Sequence, residues 1–133
     1  MINIVLDTNI IVSAALSSEG NPANIIKLIA VNENMQIYYS PAILDEYKKV
    51  LSYERLNLSE EKQIRAVNLI EKNGVCVQPE PSDIPMPDES DRIFYDTAKA
   101  INAYLVTGNL KHYPEETQIV MPARFVEIFG KGE

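Results

Sequence analysis

The sequence predicts an α/β domain, a three-layer α/β/α sandwich built on a mainly parallel sheet. Three observations predict it. Short apolar, β-branched runs recur along the chain, segments with apolar residues at helical spacing stand between them, and polar residues follow several runs directly. Continuous apolar runs suit strands covered on both faces by helices, and such sheets bind their ligands beyond the carboxyl ends of the strands.

Ile2 to Leu6 forms the first strand, ending at Asp7. Asn21-Pro22 supplies a cap and a first-turn proline for a helix carrying Ile25, Ile26, Leu28 and Ile29. Met35 to Tyr39 is a second strand, and Ser40-Pro41 caps the helix whose stripe is Ile43, Leu44, Tyr47, Val50 and Leu51. Ser59, followed by Glu60-Glu61-Lys62, opens a further helix through Ile70, and Val75 to Val77 is a third strand. The segment from Gln78 to Pro87 carries four prolines in ten residues and must be irregular. Ser90 then caps a helix with Ile93, Phe94, Thr97, Ala98 and Ile101 on one stripe. Ala103 to Val106 gives a fourth strand ended by Thr107-Gly108-Asn109; Ile119 to Met121 adds a fifth, and Pro122 opens a last helix through Phe129.

A length of 133 residues fits one domain over 1–133, with one active site. Apolar residues at 46% and charged residues at 23% match ordinary globular proteins. No apolar run is long enough to span a bilayer, and Met1 to Asp7 lacks the features of a secretory signal, so a cytoplasmic protein is expected. The single cysteine, Cys76, rules out an internal disulfide and a multi-cysteine zinc site; its place between Val75 and Val77 predicts an inert buried thiol. The lone His112 reads as a surface residue near a helix end, so any metal should be hard and held by oxygen. A net charge of −7 works against a polyanionic ligand unless bound cations, a basic partner or a second subunit offset it.

Three strand exits present polar side chains that converge on one edge of the sheet: Asp7-Thr8-Asn9, Ser40 leading to Glu46, and Thr107-Gly108-Asn109. A carboxylate placed directly after an apolar strand needs a helix N-terminus, an arginine or a metal to hold it, and Asp7 as a plain N-cap is the simpler alternative. Glu46 lies roughly 100° from the centre of its apolar stripe, at the boundary of core and solvent. Asp91 has the same boundary position near a helix start, where the dipole favours an anion. Asp96 falls about 140° from Asp91 and is expected to face solvent.

Val5-Leu6-Asp7-Thr8-Asn9, Ser40 to Glu46, Asp88 to Phe94 and Leu105 to Asn109 resemble, in order, the motifs of the PIN-domain family. The likeness covers nearly the whole chain. It implies a nuclease fold similar to that of flap endonucleases and, for bacterial members, the toxin of a type II toxin–antitoxin pair that cuts RNA with Mg2+ or Mn2+. By position it implies that Asp7, Glu46 and Asp91 are the catalytic, metal-holding acids. Thr8, Asn9, Ser40, Thr107 and Asn109 would support them or contact phosphate, with Asp88 and Asp96 as outer possibilities. An antitoxin protein and a homodimer are partners the resemblance allows. The chain departs from the family at Asn109, where an aspartate is usual; an asparagine offers a carbonyl oxygen but no charge, and a second metal would be held less well.

Two other classes compete. A phosphatase or receiver-like protein working through an aspartyl-phosphate also places an aspartate after its first strand, but the phosphatase needs another acid two residues on, where Asn9 stands. A catalytically weak module that acts by binding a partner would suit the acidic balance and Asn109.

Overall fold

A computed structural model describes residues 1–130. Among them, strands β1 (Ile2–Leu6), β2 (Met35–Tyr39), β3 (Gly74–Cys76), β4 (Tyr104–Val106) and β5 (Ile119–Val120) form one sheet in the order β3-β2-β1-β4-β5. Every pairing is parallel, with Ile4 opposite both Ile37 of β2 and Tyr104 of β4. Helices α1 (Thr8–Leu16), α2 (Asn21–Val31), α3 (Pro41–Leu51), α4 (Glu60–Asn73), α5 (Arg92–Ala100) and α6 (Pro122–Phe129) complete the three-layer α/β/α arrangement. Among the described residues no helix is long and apolar enough to cross a membrane.

The core lies where the apolar runs pointed. Ile4, Val5, Leu6, Leu105, Ile43, Tyr47, Phe94 and Phe125 are all essentially removed from solvent. Burial of each such side chain contributes about 1.5–3 kcal/mol. Two of the serine caps form as read: Ser40 Oγ accepts from the Ile43 amide and Ser59 Oγ from the Lys62 amide.

Several elements differ from expectation for physical reasons. Helix α1 begins straight after Asp7; its run Ile10-Ile11-Val12 is continuous and β-branched, so periodicity alone does not place a helix there. Gly20, at φ 101°, takes the N-cap position of α2 in place of Asn21. Strand β3 starts one residue earlier than predicted, at Gly74, where a Cβ would come within 2.6 Å of the Ile70 carbonyl oxygen and 2.9 Å of the Tyr39 ring. Ser90 does not cap α5. It donates to Asp88 within a 3-10 turn over Glu89–Asp91, and Asp91 takes the N-cap position. Cys76 is exposed, not buried, because β3 is the edge strand of the sheet.

Candidate functional site at the carboxyl edge of the sheet

From β1 the chain steps outward through β2 to β3, then returns to the other side of β1 for β4 and β5. The strand order therefore reverses between β1 and β4, and a crevice opens beyond the carboxyl ends of neighbouring strands at such a point. Asp7 follows β1 and Thr107 follows β4, so the topology alone sets them side by side.

Asp7 is 5% exposed, yet its side chain caps nothing. Asp7 thus stands at the N-cap position of α1 through its backbone alone, its carbonyl accepting from the Ile10 amide. Its Oδ2 instead accepts hydrogen bonds from Thr107 Oγ1 at 2.7 Å and from the Tyr113 hydroxyl at 2.8 Å. Both donors fall on one oxygen, which leaves Oδ1 without a protein donor among the described residues. Thr107, fully buried, also accepts from the Asn109 amide, and Asn9 Oδ1 accepts from the Gly108 amide at 2.9 Å. A Cβ at Gly108 would lie 3.2 Å from that same Asn9 oxygen, so a side chain there would press on the Asn9 amide group. Thr8 is buried next to Asp7 in the chain, and its Oγ1 has no partner among the described residues.

Asp91 arrives from the start of α5. Its Oδ2 lies 2.8 Å from His112 Nδ1, and Asp88 Oδ2 lies 3.6 Å from the same nitrogen. Burial and the nearby charge of Asp7 push the Asp91 carboxyl above its usual range, against the opposing hydrogen bond from His112. Asp7 and Asp91, far apart in sequence, thus repel one another across a common space. The hydroxyls of Tyr113 and Tyr47 are likewise held strongly in their neutral forms by burial and by the charge of Asp7, and Tyr47 donates to the Leu6 carbonyl at the end of β1.

The remaining predicted residues sit as follows. Glu46 is half-buried on α3, beside Tyr47, with no hydrogen-bond partner among the described residues. Ser40 is occupied as the cap of α3. Asn109 is exposed, and its side chain makes no hydrogen bond among the described residues. Asp96 corrects the expectation of solvent exposure: it is 7% exposed and accepts from the amide and hydroxyl of Ser82, tying the proline-rich segment to α5. Among the described residues, the three groups whose ligand atoms all lie within 4.8 Å of one another are Asp88, Asp91 and His112. His112 and Tyr113 stand against Asp91 and Asp7, and the sequence does not single them out for chemistry. Their signal was position alone, three and four residues beyond Asn109, in the turn that folds back over the edge.

The clustered donors, two carboxylates from Asp88 and Asp91 and an imidazole nitrogen from His112, fit a hard or borderline divalent cation; Asp7 and Glu46 are not part of that cluster. The acids lie on the open edge. The larger hollows are elsewhere, one of about 880 Å3 between α2 and α6 and one of about 570 Å3 among α1, α2 and α4.

The family model described as PIN domain matches residues 3–111. An uncharacterized protein of Methanocaldococcus jannaschii, MJ1680, is 28% identical over 145 residues, covering 98% of this chain and 93% of its own length. Among solved structures, VapBC2 of Rickettsia felis, crystallised with a DNA fragment from its promoter, is similar with a TM-score of 0.60 at 20% identity. That likeness spans 90% of this chain and 97% of the matched one.

Proposed function

The chain belongs to the PIN-domain family, whose members are generally nucleases, and on that premise we propose that it is a divalent-metal-dependent endoribonuclease. The observation that carries the reading is the cluster beyond the strands: Asp88, Asp91 and His112 each offer a ligand atom within 4.8 Å of the others, and burial first, then the charge of Asp7, hold the Asp91 carboxyl above its ordinary range. Like charges so placed call for a cation.

In this reading Asp7 and Asp91 hold Mg2+ or Mn2+, with Glu46 contributing from α3. A metal at that position would supply Lewis acidity toward a phosphate oxygen and lower the pKa of water. Thr107 and Tyr113 fix Asp7 through Oδ2 and leave Oδ1, which would meet the ion, without a protein donor among the described residues. Thr8, Asn9 and Asn109, at the strand exits, border the path of the RNA backbone. The open edge suits a polymer better than an enclosed small molecule. The protein is read as one domain working in the cytoplasm, and the family and the VapBC2 likeness favour the toxin of a toxin–antitoxin pair, with an antitoxin and a second copy as partners.

The test is cleavage of a labelled single-stranded RNA with Mn2+. Activity that requires Mn2+ and disappears in Asp7→Asn is expected; cleavage that survives that substitution would refute the assignment. A second reading, a binding module without catalysis, is favoured by one observation, the neutral and exposed Asn109. Metal binding without cleavage would select it.

A further inference from the structure

We propose that His112 is a direct metal ligand that replaces the carboxylate missing at Asn109, and that it tunes the site toward Mn2+ over Mg2+. The inference rests on the metal reading above. Asn109 is neutral and exposed, its side chain has no partner among the described residues, and it initiates a 3-10 turn over Leu110–His112 in which the His112 amide donates to the Asn109 carbonyl at 3.0 Å. That turn carries the imidazole back to the acids. Nδ1 comes to rest 2.8 Å from Asp91 Oδ2 and 3.6 Å from Asp88 Oδ2, and one ligand atom from each residue falls within 4.8 Å of the others. Atoms so spaced can be bridged by a single ion. At 43% exposure the His112 ring is not locked in the core, so the Nδ1 lone pair can turn to an ion in place of the contact with Asp91.

An imidazole does not act as a carboxylate does. It brings no charge, and its nitrogen binds Mn2+ and other transition ions well but suits Mg2+ poorly, since that ion prefers oxygen and sheds its water reluctantly. A site that exchanges an aspartate for a histidine therefore loses Mg2+ affinity first.

The chain contains one histidine, which makes the test direct. Pulsed electron paramagnetic resonance on untagged protein with Mn2+ should show the nuclear modulation of a bound imidazole nitrogen, absent in His112→Ala. Calorimetric titration should show Mn2+ affinity falling about tenfold or more in His112→Ala, with Mg2+ affinity little changed. In His112→Asp the preference should move back toward Mg2+. Tight Mn2+ binding with no nitrogen modulation overturns the role of His112 while leaving the carboxylate site standing. Failure of wild type to bind Mn2+ at all overturns both.

Discussion

Asp7 shows how a single buried carboxylate can be held in one orientation. Two hydroxyl donors satisfy Oδ2, and charge-assisted bonds of this kind contribute more than neutral ones. Asn109 is the residue at which expectation and chain part company, so it gives the sharpest single substitution. In Asn109→Asp another anion joins Asp7 and Asp91 at the edge. The metal-free protein should melt lower than wild type, while Mn2+ affinity rises, because ligand charge strengthens hard-ion binding as it increases repulsion without the ion. Calorimetry and thermal melting read the two effects; if neither changes, Asn109 stands apart from the metal. The sequence made Asp7 and Asp91 legible because each marks an element boundary, a local property. Asp96 and His112 were not legible, since their partners Ser82 and Asp91 lie 14 and 21 residues away and only the folded chain supplies them.

At the scale of elements, α5 joins the site to the outer strands. Its N-terminus presents Asp91, its middle clamps the proline-rich segment through Asp96, and Lys99 and Tyr95 reach Glu116 ahead of β5. Burial acts to raise the Glu116 carboxyl, but the Tyr95 hydroxyl and the Lys99 ammonium outweigh it and hold the group below its ordinary value. A carboxylate depressed on folding adds stability that is present above its unfolded value, near pH 4.5, and lost as pH falls through the folded value. Glu116→Gln should therefore cost about 1 kcal/mol at pH 7, and the gap to wild type should close in urea titrations run below pH 4.5. A constant gap down to pH 3 would mean that packing, not the charge, matters there. Helices α3 and α4 were readable to within a turn because their serine caps act locally. Strand β3 was readable to within one residue, whereas helix α1 was not, for its continuous apolar run carries no helical period.

Across the whole molecule the dominant fact is an acidic balance of −7 in a chain read as an RNA-cutting enzyme. Phosphates must then be met by bound cations more than by lysine or arginine. Fluorescence anisotropy with a short single-stranded RNA should show weak binding in chelator and markedly tighter binding with Ca2+ present, which avoids turnover. Equal affinity in both conditions would exclude a metal-bridged complex and point to a basic partner. The parallel sheet itself was foreseeable from the alternation of apolar runs and helical stripes. Its strand order was not, since nothing in the pattern says on which side of β1 the later strands return.

That order has a consequence for how the protein is made. Among the strands of this sheet the first in chain order is the central one, yet the groups that grip Asp7, Thr107 and Tyr113, are 100 and 106 residues further along. Contacts so distant in sequence close late, after the costly ordering of the intervening chain. A ribosome that has released the first three helices has therefore produced Asp7 without the hydroxyls that grip it, and a product cut short before Thr107 lacks both of them.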